Sequence, residues 1–481
     1  MKWAVIQRLI GLLLMLFSVT ALPPVVVSLL TDDGQAGVFG ATFALTLATG
    51  LALWMPVRNF QGELRTRDGF LVVALFWTVL GLFGAVPFML GPHLDLTDAV
   101  FEAVSGFTTT GATVIIGLDG LPPSVLYHRQ QLQWLGGLGV IVLAVAIIPM
   151  LGVGGMQLYR AETPGPMKDD KLTPRIMHTA RTLWYVYLGL TVVCAVAYWW
   201  TGMTVFDAIA HSFSTIATGG YSPHDASLGY YDSFAVETVA NVFMLLGGVN
   251  FAMHFLVWRG RDPRYYWRDT ETRAYLVLIV AFAALIAATL WLTGAYTSAG
   301  ESMRDAVFHV ISIITTTGYT TAGFAQWPLY IPLLIAAIGF IGGCAGSTAG
   351  GMKVVRIVLL YKQGVHESFL LIHPRAKMPV KLGNKPVPES VMNSVWGFYT
   401  LYVLSSLVLT ALMMAAGLDL ESAFGAVMAT INLVGPGLGT VASNFADVPE
   451  FVKWLAVFAM LLGRLEVFTL LVLFTPAFWR H

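Results

Sequence analysis

The segment Asp305-Ala-Val-Phe-His-Val-Ile-Ser-Ile-Ile-Thr-Thr-Thr-Gly-Tyr319 lies between two long apolar runs and recurs in outline three more times along the chain. In each copy an alanine stands twelve positions before a glycine, in the pairs Ala99 and Gly111, Ala208 and Gly220, Ala306 and Gly318, and Ala423 and Gly435. The glycines are 109, 98 and 117 residues apart, a spacing that suits two membrane helices and a connecting loop rather than a solenoid repeat. The register therefore predicts four related units.

Each copy is predicted to be a short helix that enters the membrane and turns back. About twelve residues are too few to cross the hydrocarbon core, and irregular backbone at membrane depth persists only inside protein or along a water-filled path. We expect Asp98, Asp207 and Asp305 to be helix N-caps rather than ion ligands, since aspartate caps helices well. Four such segments around one axis would form a pore; the alternative is four ordinary extracellular helical turns that end in glycine.

The composition requires a lipid environment. The 481 residues are 57% hydrophobic and 11% charged, whereas a soluble domain carries about 25% charged residues. Ten apolar runs, most near the ~20 residues that span a bilayer, occupy 9–30, 36–57, 69–90, 132–151, 183–200, 236–258, 274–292, 330–340, 395–416 and 451–474. The first run is too long for a signal peptide and has no small-residue cleavage site. The sequence predicts an all-α polytopic membrane protein with ten crossings.

The positions of the charges indicate the topology. With both termini cytoplasmic, all but four of the 27 Lys and Arg residues lie on the cytoplasmic side, the exceptions being Arg129, Arg304, Lys453 and Arg464. The formal net charge of zero gives no sign of a nucleic-acid partner. The two cysteines, Cys194 and Cys344, are isolated in sequence, so we infer neither a disulfide nor a metal site.

The chemistry expected at the four glycines is cation binding by backbone oxygens. A ring of carbonyls replaces the hydration shell of a cation without placing a fixed charge in the path. The C-terminal ends of four short helices would add about half a negative charge each. Neither effect distinguishes potassium from other alkali cations. The predicted filter residues are Thr109, Thr110, Gly111, Thr218, Gly219, Gly220, Thr316, Thr317, Gly318, Leu433, Val434 and Gly435.

A glycine-rich stretch interrupts the second long helix of the third unit. Five glycines lie within 342–351, and each interior glycine destabilises a helix by about 1 kcal/mol relative to alanine. We predict an unwound intramembrane loop that gates the pore; the alternative is a glycine-rich face for close helix packing. The predicted gate residues are Gly343, Gly346, Gly350, Gly351, Lys353 and Arg464.

Arg464 and two histidines are further polar residues that need an interpretation. Arg464 lies within the last apolar run, where a cation usually faces a pore or pairs with a buried acid; the alternatives are an electrostatic barrier below the filter and a structural salt bridge. Glu466 is two residues away and cannot share its helix face, so a partner is expected elsewhere. His211 and His309 occupy matching positions, and we favour packing or hydrogen bonding over pH sensing.

The motifs resemble the Trk, Ktr and HKT superfamily of potassium transporters, and in particular the bacterial Trk membrane subunit. The resemblance covers almost the whole chain and rests on 106–113, Gln133-Trp-Leu-Gly-Gly-Leu-Gly139, 315–319, Gly342-Gly-Cys-Ala-Gly-Ser-Thr-Ala-Gly-Gly-Met-Lys353 and Asn432-Leu-Val-Gly-Pro-Gly437. It implies a filter with one key glycine per repeat, K+ as the transported ion bound there, and no organic cofactor. It further implies a homodimer in the bacterial inner membrane, seated on a cytosolic nucleotide-binding regulatory ring.

The resemblance leaves the coupling ion open. Family members with and without sodium coupling typically keep glycine at the position of Gly111, so this residue does not decide between a gated channel and a Na+- or H+-coupled symporter. The fourth loop, Val434-Gly-Pro-Gly437, departs from the threonine-rich ones, which suggests a filter that is not four-fold equivalent.

The sequence divides into an N-terminal helix pair (1–67) and four repeats (68–160, 161–262, 263–390 and 391–481), with the gate loop in the third. All four repeats share one orientation, which favours a pore over a secondary transporter with inverted repeats. A membrane enzyme is disfavoured because the sequence shows no ligand-spaced metal cluster and no nucleophile or Walker motif. The basic loops 168–181, 259–273 and 362–385 are expected either to dock a partner or only to set topology.

Overall fold

The computed structural model describes residues 2–60, 62, 65–146, 172–375, 378–383 and 385–480. Helices make up almost all regular structure in these ranges; the strands found there are the two-residue pair Lys381–Leu382 and Lys385–Pro386, which run antiparallel. The predicted all-α fold is therefore confirmed. The repeat boundary at 160 and residues 168–171 of the basic loop lie outside the described residues.

The helices are named in chain order. They are α1 (Trp3–Ser18), α2 (Leu22–Thr31), α3 (Ala36–Trp54), α4 (Thr66–Gly84), α5 (Val86–Leu90), α6 (Leu96–Phe107), α7 (Pro123–Ala146), α8 (Leu172–Trp200), α9 (Val205–Ile216), α10 (Phe234–Gly248), α11 (Phe251–Gly260), α12 (Arg264–Arg268), α13 (Thr270–Leu292), α14 (Ala299–Ile314), α15 (Ile331–Ile341), α16 (Val354–Ile372), α17 (Glu389–Ala415), α18 (Leu420–Ile431), α19 (Glu450–Arg464), α20 (Glu466–Leu471) and α21 (Pro476–Trp479).

The N-terminal helices pack through small residues. α1 and α2 together form one membrane-length span, and α3 returns beside α1. A Cβ on Gly11 would lie 2.8 Å from the carbonyl oxygen of Gly50, and one on Gly50 would lie 2.9 Å from that of Gly11. Small residues on both helices thus allow the backbones to approach closely, as membrane helices often do.

The four repeats share one plan. Each has an outer helix (α4, α8, α13 and α17), a short pore helix (α6, α9, α14 and α18) and an inner segment (α7, α10–α11, α15–α16 and α19–α20). The buried apolar residues form two large clusters. The first joins the N-terminal helices to the first and fourth repeats, and the second joins the second and third. The pore helices α6 and α18 pack mainly in the first cluster and α9 and α14 in the second, so the packing of all four repeats fixes their positions.

The predicted N-caps of the pore helices are wrong. The helices begin one turn earlier, and the capping oxygens belong to Asp95, Thr204 and Asp419, which accept from backbone N–H groups three residues on. Asp98 and Asp207 therefore lie in the first helical turn, where a negative charge still favours the helix dipole. The third pore helix starts at Ala299, so Asp305 lies inside it.

The inner segments differ from one another. α7 is continuous as far as it is described, whereas α10 and α11 meet at 99° and α19 meets the segment after it at 108°. The runs 236–258 and 451–474 were each expected to be one straight helix, and both are bent instead. Asn250 forms the first bend by capping α11 through the N–H of Ala252 (2.9 Å), and Glu466 forms the second with a positive φ of 49°.

The membrane-length helices agree with a multi-pass protein. Among the described residues, six helical spans are long and apolar enough to cross a bilayer, and the two bent pairs raise the number to eight. Ten crossings would also require α7 and the α15–α16 pair. The count of ten remains a prediction.

Candidate ion pore

The loops that follow the four pore helices share one backbone conformation. We call the glycine that recurs twelve positions after the alanine the register glycine. In each loop it has a positive φ, and so does the non-glycine residue two positions earlier: Thr109 (58°) and Gly111 (83°), Thr218 (50°) and Gly220 (78°), Thr316 (55°) and Gly318 (79°), and Leu433 (60°) and Gly435 (95°). A left-handed conformation at a residue with a Cβ costs about 1 kcal/mol or more. The same strain at four equivalent positions indicates a shared role that outweighs it.

The four loops meet in a closed ring. A Cβ built on each register glycine would overlap or crowd the carbonyl oxygen before the equivalent glycine of the next repeat: Gly111 with Gly219 at 2.1 Å, Gly220 with Thr317 at 1.8 Å, Gly318 with Val434 at 1.8 Å, and Gly435 with Thr110 at 2.9 Å. The repeats therefore follow one another in the order 1–2–3–4 and the fourth closes onto the first. Real Cβ atoms do not approach within 3.0 Å, so glycine is required at each position.

Each loop is anchored to its own pore helix in the same way. The N–H of the residue before the register glycine donates to a carbonyl in the last helical turn, in the pairs Thr110 and Ser105 (2.8 Å), Gly219 and Ser214 (2.8 Å), Thr317 and Ser312 (2.8 Å), and Val434 and Ala429 (2.9 Å). The C-terminal end of every pore helix thus leads directly into the ring. Four negative helix ends make this centre attractive to a cation.

A cavity of about 350 Å³ opens on one face of the ring. It is lined by the four register glycines and by residues that follow them in each loop, and we call this face the mouth side. At its edge His224 Nδ1 lies 2.5 Å from Asp119 Oδ1, and Nε2 lies 3.6 Å from Asp207 Oδ1. The hydrogen bond from His224 lowers the pKa of Asp119. Partial burial opposes protonation of His224, but its hydrogen bond to Asp119 and the nearby Asp207 carboxylate raise its pKa overall.

The predicted interruption of the third inner helix is present. α15 ends at Ile341 and α16 begins at Val354, and Gly342, Gly346 and Gly351 between them have positive φ. A continuous glycine-rich packing face is therefore excluded at this point. We call residues 342–353 the glycine loop; Lys353, the last of them, also has a positive φ (77°), and its ammonium donates to the carbonyl of Ala349.

The glycine loop lies against the ring on the face opposite the mouth, which we call the loop side. We call the residues from the end of each pore helix to its register glycine a filter segment (107–111, 216–220, 314–318 and 431–435). The glycine loop contacts three of the four filter segments at residues that precede the register glycine. Thr348 Oγ1 donates to the carbonyl of Ile216 (3.0 Å) in the second repeat. The N–H of Gly350 donates to Thr316 Oγ1 (2.6 Å) in the third, and the N–H of Gly351 to the carbonyl of Asn432 (3.1 Å) in the fourth.

Arg464 joins the glycine loop to the first repeat. Its guanidinium donates to the carbonyls of Thr348 (3.1 Å) and Gly136 (3.2 Å) and lies 5.2 Å from the centre of the Trp77 ring. Within the described part of the chain no acid pairs with it, so the expected buried acidic partner is replaced by backbone carbonyls. Glu466 pairs instead with Arg356 (2.7 Å).

The chain is similar to known cation transport proteins over nearly its whole length. The family described as TrkH, a cation transport protein, matches residues 36–481. The chain belongs to this family. It is 52% identical over 483 residues to the Trk system potassium uptake protein TrkH of Salmonella typhimurium, with 100% of both chains covered. It is 41% identical to TrkG of Escherichia coli K12, covering 99% of this chain and 98% of the relative.

A solved structure has the same fold. The potassium transporter TrkH from Vibrio parahaemolyticus superposes with a TM-score of 0.93 at 50% identity, and the match covers 100% of both chains. The resemblance drawn from the motifs is therefore confirmed. The curated relatives are named as transport proteins, which places this member of the TrkH family among membrane transporters rather than enzymes.

Sequence reasoning missed a buried ion pair beside the TrkH-family ring. Glu102 occupies the position that His211 and His309 hold in the next two repeats, four residues after the aspartate of the repeat pattern. It is fully buried and 2.7 Å from Arg129, which also donates to the carbonyl of Ser222 (3.1 Å). Two signals were available: the matching position, and the exclusion of Arg129 from the cytoplasmic charge pattern.

The two histidines are buried and hydrogen-bonded. Nδ1 of His211 donates to the carbonyl of Asp207 (2.9 Å), and its Nε2 lies 3.0 Å from Ser222 Oγ. Nδ1 of His309 donates to the carbonyl of Asp305 (2.9 Å). These contacts agree with the preferred packing and hydrogen-bonding interpretation of both residues.

Proposed function

We propose that this chain is the membrane subunit of a bacterial Trk-type potassium uptake system and forms a gated, K+-selective pore. The observation that carries the proposal is the closed ring of four loops, in which each register glycine leaves room only for the backbone of the next loop. Potassium is favoured because relatives covering the full chain are named potassium uptake proteins.

The proposed filter is made of the twelve predicted residues around the register glycines. Carbonyl oxygens of these loops would replace the water around K+, and the four pore-helix ends would supply negative potential. No acidic side chain is needed as an ion ligand. Asp98 is instead paired with Lys453 (2.6 Å) in the first turn of its pore helix, at the end away from the ring. Asp305 likewise accepts from the hydroxyl of Tyr296 (2.5 Å).

The proposed gate is the glycine loop, with Gly343, Gly346, Gly350 and Gly351 as its flexible positions and Lys353 and Arg464 as its charges. Three hydrogen bonds dock it on the ring, and Arg464 ties it to the first repeat. A Cβ on Gly350 would lie 2.2 Å from the carbonyl of Asn432, so the docked position depends on glycine. Opening would move this loop away from the conduction path.

The mouth side is then extracellular, both termini are cytoplasmic and the membrane is the bacterial inner membrane. We further propose a homodimer in lipid that binds a cytosolic nucleotide-binding regulatory ring through the basic loops 259–273 and 362–385, together with 168–181. The division into an N-terminal helix pair (1–67) and four repeats (68–160, 161–262, 263–390 and 391–481) belongs to the same proposal. No nucleic-acid partner is proposed.

Rubidium uptake in potassium-uptake-deficient bacteria that supply the cytosolic partner tests the function. The intact chain should restore growth at low potassium and take up 86Rb+, and Gly318→Ser should lose Rb+ over Na+ discrimination, because a side chain there meets the Val434 carbonyl. An intact, folded chain that moves no rubidium would refute the pore. Uptake that requires an inward sodium or proton gradient would replace the channel with the symporter alternative.

A further inference from the structure

The four filter segments are held in two different ways. In the first and third repeats a pair of threonines bridges the segment internally, with Oγ1 of Thr108 and Thr110 2.8 Å apart and Oγ1 of Thr315 and Thr317 also 2.8 Å apart. Thr108 Oγ1 donates its own proton to the carbonyl of Val104 (2.7 Å), so the bridging proton comes from Thr110. Both segments are thus stabilised by a hydrogen bond between two of their own side chains.

The second segment has neither hydroxyl. Alanine and glycine, Ala217 and Gly219, stand where the first and third segments have threonines. The side-chain amide of Gln133, from α7 of the first repeat, lies at this position. Its Nε2 donates to the carbonyl of Gly219 (2.6 Å), and its Oε1 accepts from the N–H of Tyr221 (3.0 Å). The amide therefore holds the backbone on both sides of Gly220.

Gly219 and Gln133 are sterically matched. A Cβ on Gly219 would lie 2.4 Å from Cδ of Gln133 and 2.6 Å from its Oε1. The φ of Gly219 is not positive, unlike that of Gly220, so glycine is needed at 219 for space rather than for backbone conformation. Gln133 is fully buried, so both its hydrogen bonds are shielded from water.

We infer that Gln133 is a positioning residue for ion selectivity, which replaces the threonine bridge in the second filter segment and directs the Gly219 carbonyl into an amide hydrogen bond. The inference rests on the proposed filter. Its consequence is that the geometry of the second filter wall depends on a side chain of the first repeat, whereas the first and third walls are bridged by their own hydroxyls. The fourth segment is also held from outside itself, since the hydroxyl of Tyr402 donates to Oδ1 of Asn432.

Two variants at Gln133 test this role in purified protein reconstituted in liposomes, with Rb+ and Na+ fluxes measured separately. Gln133→Leu keeps the volume and removes both hydrogen bonds, and Gln133→Glu keeps the shape and removes the donor to Gly219. Each should lower the Rb+ to Na+ flux ratio about tenfold, the size expected from losing one or two buried hydrogen bonds. Gln131→Leu, also buried on α7, is the matched control and should stay within about twofold of the intact chain.

A rescue experiment separates positioning from general packing. The triple variant Ala217→Thr, Gly219→Thr and Gln133→Ala rebuilds the threonine bridge and makes room for it, so it should regain most of the lost selectivity. Gly219→Thr alone should lose selectivity, because its side chain collides with the Gln133 amide.

Unchanged ratios in both single variants at Gln133 would overturn the inference. So would a triple variant that elutes and melts like the intact chain yet stays as unselective as Gln133→Leu. A failure of the proposed function is distinguishable, because the intact chain would then move no Rb+ or Gly318→Ser would behave like it.

Discussion

The two faces of the ring are held together by different kinds of interaction. On the mouth side the contacts are charged: Lys453 and Asp98 (2.6 Å) join the fourth and first repeats, and Arg304 and Glu237 (2.8 Å) join the third and second. Glu102 and Arg129 pair at 2.7 Å within the first repeat, and Arg129 also donates to the Ser222 carbonyl of the second. On the loop side, the glycine loop is docked mainly by backbone groups and hydroxyls, with Arg464 bridging two carbonyls.

The difference separates a fixed part from a movable one. Breaking a buried ion pair leaves an uncompensated charge and is strongly unfavourable, whereas a backbone hydrogen bond exchanged for one to water contributes only about 1 kcal/mol net. The mouth side should therefore hold the filter geometry while the glycine loop leaves and returns. Substitutions on the two sides should therefore differ in whether they change stability or flux.

The largest effect is expected at the buried pair of the mouth side. Arg129→Met leaves the fully buried Glu102 carboxylate without its cation, so the free energy of unfolding should fall by about 3–5 kcal/mol. Thermal melting in detergent measures the loss. The double variant Glu102→Gln, Arg129→Met should recover much of it, and equal losses in the single and double variants would contradict the ion-pair account.

The glycine loop should respond in flux rather than in stability. Gly350→Ala cannot dock, because its Cβ would lie 2.2 Å from the Asn432 carbonyl, so rubidium uptake without partner activation should rise about tenfold. Gly364→Ala, in α16 with nothing within 4 Å of its Cβ, is the control and should leave uptake unchanged. A Gly350→Ala protein that stays closed would argue against this loop as the gate.

A smaller effect is expected where the first and fourth repeats meet at the mouth. Lys453→Met removes the partner of Asp98, which is 24% exposed, so the loss of stability should be about 1 kcal/mol or less. The flux should be nearly unchanged, because neither group belongs to the ring. A fall in melting temperature as large as that of Arg129→Met would show that the contribution of an ion pair to stability does not depend on its burial.

The smallest effect concerns pH at the mouth. Because the pKa of His224 is raised in the folded protein, its ion pairs stabilise the fold below the ordinary histidine pKa, and this contribution is lost as pH rises through the raised value. Partial exposure of both partners limits it to about 1 kcal/mol. His224→Gln should reduce the change in melting temperature between neutral and mildly alkaline pH, while His373→Gln should leave that change as it is in the intact chain. The same dependence of melting temperature on pH in the intact chain and both variants would exclude the pairing.

The fold and the ring could be predicted largely from the sequence because both repeat in register. The twelve-residue spacing located Gly111, Gly220, Gly318 and Gly435, and the glycine count located the break before α16. These signals are local, because a glycine indicates the backbone conformation at its own position and not a contact with a distant residue.

The contacts between repeats could not be predicted in the same way. Gln133 and Gly219 are 86 positions apart, and Arg464 and Thr348 are 116 apart, so no local pattern links them. The bend at Glu466 also escaped prediction, because an apolar run looks alike whether or not a tertiary contact, here with Arg356, turns it. The shift of the pore-helix caps shows that local signals place boundaries less precisely than elements.

The closed ring is tested most directly by alanine substitution at each register glycine, with K+ and Na+ fluxes measured in liposomes. The account predicts a graded loss of K+ selectivity. It should be most severe for Gly220→Ala and Gly318→Ala, where the Cβ would lie 1.8 Å from the next carbonyl, and mildest for Gly435→Ala, at 2.9 Å. Four alanine variants that keep the selectivity of the intact chain, or a loss confined to one loop, would contradict a filter built from all four repeats.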